Sequence, residues 1–394
     1  MKQVLLYPSE WTLADPSKVV ALFKRLSDLH RGRKSISVSS TYFTVDVSPL
    51  DLYCYLKFRF GPPNGFAMSL KTPTIDNLIQ WHYTLASGET IIDIMGLNFR
   101  TSISFYECLE LIEEDWRTLE TNLLREFETK RGDLANVRDG LENWHLFINP
   151  YKRLSLIVDR YLRRLEELNL DNVEAKIPKP IEYQSDPQAY SEIIRECEDI
   201  YREASAICVS IQMIAPVMGE AAVNFVALML AKNEVKNDRR LYEDFVRRNI
   251  DVRIKSLSIL CDGFEKAIDG SEKSFKDFLR LMNRRNDTLH GNIDPRKSVG
   301  EEIFFDLGNI PIVRRHSSII EIALSNALAH VEPRKAIEDV RVVRSFVRLL
   351  LDCLLPKYRK IVEIILDDLQ PGYNPKTKRI GAILSPIQVD IIPA

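Results

Sequence analysis

Residues 271–291, SEKSFKDFLRLMNRRNDTLHG, place Phe275, Phe278, Leu279, Met282 and Leu289 on one face of an α-helix, with charged residues on the other. Ser271 or Ser274 is positioned to cap the start of that helix, and Gly291 stands where helices commonly take a left-handed residue just past their end. Asn286 falls on the apolar stripe and His290 one turn beyond it. A buried polar group without a partner costs about 1–3 kcal/mol. These two side chains are therefore expected either to find partners in the core or to line a cavity.

The same periodicity extends on both sides, so nearly all of residues 189–370 reads as helix. Within it, AICVSIQMIAPVMGEAAVNFVALML (206–230) is interrupted by Gln212, Pro216, Gly219, Glu220 and Asn224. The expectation is two buried helices with a break near Pro216–Gly219, and not a membrane span. Upstream, Leu154, Val158, Tyr161, Leu165 and Leu168 form another amphipathic helix, followed by a proline-marked linker around Pro178, Pro180 and Pro187.

Residues 1–104 differ. SISVSSTYFTVDV, IIDIM and NFRTSISF read as strands, and in LYCYLKFRF (52–60) Leu52, Cys54, Leu56, Phe58 and Phe60 alternate with polar or aromatic neighbours, which also predicts a strand. DPSKVVALFKRLSDLH predicts a helix. The fold class expected is an α+β N-terminal domain with a mostly antiparallel sheet, followed by a mostly α C-terminal helical bundle. The domains expected are 1–104, a helical connector and linker over 105–188, and a helical domain over 189–394 that ends in an extended tail.

A chain of 394 residues with 45% hydrophobic and 28% charged residues is an ordinary globular composition. The formal net charge of -2 argues against a nucleic-acid coat or a polybasic membrane protein, without excluding a local basic cleft. The six cysteines are scattered and form no CxxC pair, which points away from zinc and disulfides and towards a reducing, cytoplasmic setting. No secretory h-region, phosphate loop or nucleophile elbow is seen, and neither a metal nor a cofactor is expected. Over 189–394, 31 Lys and Arg balance 30 Asp and Glu, but the arginines come in doublets at 239–240, 247–248, 284–285 and 314–315.

A cation beside a titrating histidine suits chemistry on a phosphodiester. Histidine takes or gives the proton, and arginine holds the phosphate. The stretch RNDTLH, that is Arg285, Asn286 and, after three residues, His290, with Gly291 following, resembles the R-x4-6-H motif of the HEPN superfamily. That resemblance implies a helical bundle acting as a homodimeric, metal-independent endoribonuclease in toxin–antitoxin, abortive-infection or antiviral defence. It implies that Arg285 contacts phosphate, His290 does acid–base work and Asn286 orients the site. Arg284 and Asn283, on the preceding positions, are expected to bind substrate, and Arg284 also keeps an allowed spacing to His290. RNA is then the substrate, cleaved through its 2′-hydroxyl to leave a 2′,3′-cyclic phosphate. The N-terminal domain would take a trigger or antitoxin partner. The alternative is a non-catalytic HEPN-like dimeric binding or scaffold protein.

The bare spacing also fits Arg25 to His30 and Arg138 to His145, which lack both the asparagine and the glycine. His82 and His145, beside tryptophans, read as satisfied core or edge histidines, and His316 as a surface residue.

Overall fold

The computed structural model describes residues 2–29, 37–43, 46–71, 77–98, 100–107, 110–170, 186–290, 303–313 and 319–383. The linker prolines Pro178 and Pro180, together with His30, Gly291, His316 and the tail beyond 383, lie outside those residues. The chain forms two compact units, one running through Trp144 and the other spanning His145–Ala382. The division therefore falls within the stretch 105–188 expected as a connector, and its helices are shared out between the two units.

In the first unit, a five-stranded antiparallel sheet has the order β1 (Thr12–Leu13), β3 (Ile79–Ser87), β4 (Thr90–Leu97), β5 (Thr101–Tyr106), β2 (Val38–Tyr42). Tyr83, Leu85, Ile92, Ile94, Ile103 and Phe105 pack on helices α2 (Pro49–Phe60), α3 (Glu113–Thr129) and α4 (Arg131–Asp139) through Leu52, Leu56, Leu119, Leu123 and Leu134. Helix α1 (Pro16–Leu29) joins a separate small cluster, in which Leu22 meets Ala86 and Ile91.

The expectation of a strand at 52–60 is corrected, because these residues are the body of α2. Ser48 accepts a hydrogen bond from Asp51 N–H, Pro49 opens the helix and Gly61, at φ 79°, closes it. Leu52, Tyr55 and Leu56 are buried at helical spacing while Phe58 is exposed, so the alternation was fortuitous and the end signals decided.

The second unit is built on α6 (Pro187–Leu230), 44 residues in one helix, where a break was expected at Pro216–Gly219. A proline inside a helix costs about 3 kcal/mol. Here Ile211, Ala215, Met218, Ala222, Val223, Val226 and Ala227 are buried along the same run, and continuing the helix keeps that whole face in the core. By length and composition α6 is apolar enough to cross a membrane, yet 61% of its most apolar window is buried inside the unit, which marks it as a core helix.

Around α6 pack α5 (Pro150–Glu167), α9 (Lys273–Leu289), α10 (Ile319–Val331), α11 (Pro333–Asp352) and α12 (Pro356–Asp367), with α7 (Arg239–Arg247) and α8 (Ile250–Leu260) completing the bundle. The stripe on α5 behaves as read: Val158 and Leu165 are buried, and Leu154, Tyr161 and Leu168 pack against the core. A two-stranded hairpin, β7 (Ile303–Asp306) with β8 (Ile310–Val313), interrupts what read as continuous helix. Gly308 at φ 98° and Asn309 at φ 61° form its turn, so glycine–asparagine chemistry prevailed over the apolar run. Near the end of the described chain, β10 (Arg379–Gly381) pairs with β9 (Gly372–Asn374), and β9 pairs with β6 (His145–Leu146).

Phe278 of α9 stacks on Phe346 of α11, with ring centroids 4.1 Å apart and planes 1° from parallel. Gly219 of α6 lets the Phe278 ring approach, because a Cβ there would overlap Phe278 and press on Val343 Cγ1 at 3.2 Å. Gly219→Ala gains roughly 1 kcal/mol of helix propensity, while overpacking a core costs about 1–3 kcal/mol. The contact with a fully buried ring should dominate. The variant is expected to be less stable than the parent by about 1–2 kcal/mol in urea denaturation, and equal or greater stability would show that the helices can separate freely.

Candidate functional site

Helix α9 carries the motif. Phe275, Phe278, Leu281 and Met282 are buried, whereas Leu289, expected on the same stripe, is 54% exposed. The helix begins at Lys273, and Ser271, one of two candidate caps, instead donates its hydroxyl to Asp269. Because the last turns leave the buried face, Asn286 and His290 are exposed rather than sunk in the core. The desolvation cost expected for them does not arise. The backbone N–H of His290 donates to Asn286 O at 3.0 Å, so the histidine follows directly on the final turn of α9.

Arg285 and Arg284, adjacent in sequence, point to different surroundings. Arg285, Asn283 and Asn286 line a cavity of about 550 Å³ together with Glu220 of α6, Arg247 of α7 and residues 248–251 and Arg253 at and around the start of α8. Arg285 Nη1 donates to Asn286 Oδ1 at 3.2 Å, and its Nε is buried without an acceptor. Among the described residues no carboxylate pairs with Arg285. His290 is not among the cavity-lining residues.

Arg284 instead binds Asp339 of α11 and lines a smaller cavity of about 290 Å³ with Asp277, Arg280, Lys335 and Glu338. Arg284 is thereby set apart from Arg285, since its charge is committed to a carboxylate with only 5% side-chain exposure.

Two further arginines at the larger cavity are structural ties. Arg253, with 7% side-chain exposure, donates through Nη1 to Glu220 Oε1 at 3.1 Å and Asn224 Oδ1 at 2.6 Å, and through Nη2 to Arg248 O at 2.7 Å. Its Nε, like that of Arg285, is buried without an acceptor. Arg248 is bound to Asp244 at 2.6 Å. Sequence reading noted Glu220 and Asn224 only as interruptions of an apolar run. Their i, i+4 spacing on a core helix was the available sign of a buried cationic partner, and Arg253 is that partner.

Among the described residues, His82 and the decoy arginines are otherwise engaged. His82 is 4% exposed, accepts Ala67 N–H on Nδ1 at 3.3 Å and lies 3.1 Å from Asp93 Oδ1 through Nε2, with Thr84 also donating to Asp93 at 2.7 Å. Arg25 pairs with Glu107 and Arg138 with Asp51. Exposed His145 belongs to β6. Five described cysteines are buried and unbridged, and burial pushes the Cys208 thiol up to about 11 and that of Cys261 up to about 12, which disfavours thiolate chemistry. Among the described residues no group of three or more His, Cys, Asp or Glu could hold a metal ion.

Comparison of the chain with family models, curated proteins and solved structures finds no match.

Burial raises the Asp339 carboxyl above its ordinary value of 3.8, and Arg284 beside it opposes that rise. A carboxyl whose folded pKa lies above its unfolded one contributes stability below the unfolded value, and loses it as pH rises through the folded one. Removing the arginine widens that loss. Arg284→Ala is therefore expected to cost more at pH 7 than at pH 4, with the neutral-pH cost about 1–3 kcal/mol after discounting for the 40% exposure of the arginine side chain. Adding Asp339→Asn should recover part of it. Denaturation midpoints at the two pH values test this, and a cost independent of pH would exclude a buried carboxylate as its source.

Proposed function

We propose that the helical unit is a HEPN-like, metal-independent endoribonuclease that works as a homodimer in the cytoplasm. The observation that carries this reading is Arg285, a partly covered guanidinium with no carboxylate partner among the described residues, set beside Asn286 in a cavity one turn before His290. A positive charge partly shielded from water and without a counter-charge is poorly stabilised, and a phosphate supplies what is missing.

In the reaction the ribose 2′-oxygen attacks phosphorus and the bond to the 5′-oxygen breaks, leaving a 2′,3′-cyclic phosphate and a 5′-hydroxyl. His290 accepts the 2′-hydroxyl proton, and the second protomer's copy of the same histidine gives a proton to the departing 5′-oxygen. Arg285 offsets the charge that builds on the phosphoryl oxygens, and Asn286 holds the guanidinium in place through the 3.2 Å hydrogen bond. The first unit would receive the trigger or antitoxin. It offers a mostly apolar cavity of about 690 Å³ lined by Pro16, Val19, Val20 and Phe66, with Lys24 among its polar groups.

One observation favours the alternative, a non-catalytic dimeric binding protein: His290 does not line the cavity that holds Arg285. The two readings separate on labelled RNA incubated in EDTA. The parent is expected to leave cyclic-phosphate ends, His290→Ala and Arg285→Ala to lose roughly 10²–10⁴-fold in rate, and Arg284→Ala to keep most of its activity under conditions where it stays folded. Equal rates for the parent and His290→Ala would remove the histidine from the chemistry and leave the binding role.

A further inference from the structure

The large cavity has a second wall that lies outside the motif, and we infer that it is a phosphate-binding subsite formed by Arg285 and Arg247 with the N-terminus of α8. Three observations meet there. Asn249 stands at the N-cap of α8 yet makes no side-chain cap, and the first intrahelical N–H, that of Arg253, reaches back to Asn249 O. The N–H groups of residues 250–252 ahead of it are the ones a helix leaves without intrahelical partners, and with the dipole they favour an anion.

Independently, two arginines that line this cavity, Arg253 and Arg285, each keep an Nε buried without an acceptor, and the Arg253 side chain is only 7% exposed. A guanidinium binds phosphate most strongly through two parallel N–H groups. Among the described residues the Arg285 guanidinium donates only to the neutral Asn286 oxygen, so a small shift of its side chain presents such a pair to an oxyanion.

Thirdly, the charges on the cavity do not cancel. Four arginines line it against Glu220 and Asp251. Glu220 is taken by Arg253, and Arg248 is taken by Asp244. Arg247 reaches Glu243 only at 3.9 Å and is 79% exposed, so its charge is available at the rim. Asp251 is the carboxylate that opposes an incoming anion, and it sits on the first turn of α8.

The ligand is a phosphate group. The ribonuclease reading makes it a backbone phosphate of the RNA strand, and the inference rests on that reading for the polymer alone. A free diphosphate or nucleotide has the same chemistry.

Inorganic pyrophosphate and a short oligouridylate, titrated calorimetrically into full-length His290→Ala protein, probe the two sources, and binding of pyrophosphate without the oligouridylate would assign the subsite to a free diphosphate. Both are expected to bind. Arg285→Ala should weaken each by about tenfold or more and Arg247→Ala by a few-fold, because charge-assisted contacts are lost. Each substitution should also lower the salt dependence of oligouridylate binding by about 0.7 in log–log slope. Arg247 is surface-exposed, so its variant keeps the test open should Arg285→Ala fold poorly. Pyrophosphate binding that both substitutions weaken, in a protein whose parent form cleaves no RNA, would keep the subsite and reject the nuclease. RNA cleavage by the parent, with affinities for both probes unchanged in both variants, would keep the nuclease and overturn the subsite.

Discussion

The stack of Phe278 on Phe346, admitted by Gly219, is the contact on which the rest of the helical unit depends. It joins α9, α11 and α6 through groups removed from water, and dense packing of this kind tolerates little change in volume. Helix α9 is thereby fixed in rotation about its own axis. That rotation decides that Arg285 faces the cavity, that Arg284 faces Asp339 and that Asn286 and His290 are exposed. One aromatic contact in the first half of the helix therefore sets the direction of three polar side chains near its end and of the histidine that follows it.

Charge in the site is divided by the same geometry. Arg253, Arg248 and Arg284 each meet a carboxylate; the Arg248 pair lies along α7, whereas the Arg253 and Arg284 pairs, each with one member buried, tie different helices together. Buried ion pairs of this sort contribute little net stability but are costly to break on one side, so they act as fixed points. Arg285 differs in lacking a carboxylate among the described residues, which leaves its charge to act on a ligand. A single helix thus presents neighbouring arginines with unlike duties, and the difference lies in what the adjoining helices place opposite each of them.

How much was legible can be judged from particular stretches. The strand β5 and the stripe on α5 were readable because burial on one face imposes the period directly, and β4, buried on both faces, was readable as a short apolar run. The alternation at 52–60 misled, since large side chains occur on both faces of that stretch and the deciding signals, Ser48, Pro49 and Gly61, lie at or beyond its ends. Pro216 misled in the opposite direction, because a local penalty was outweighed by burial along one continuous face of α6. At the site, Arg285 and Asn286 were legible as candidates. Arg253, Arg247 and the start of α8 were not, because 33 and 29 positions of chain separate Arg253 from Glu220 and Asn224, and only folding brings them together.

The sequence by itself determined that residues 273–289 form a helix, that its apolar face is buried and that a histidine stands at its end, because these follow from period and spacing within one segment. Only the tertiary structure decided which arginine is neutralised and which is left with unspent charge. That outcome depends on the carboxylates of α6, α7 and α11, and the electrostatic energy of a side chain is set by what lies within a few ångströms in space, whatever its distance along the chain.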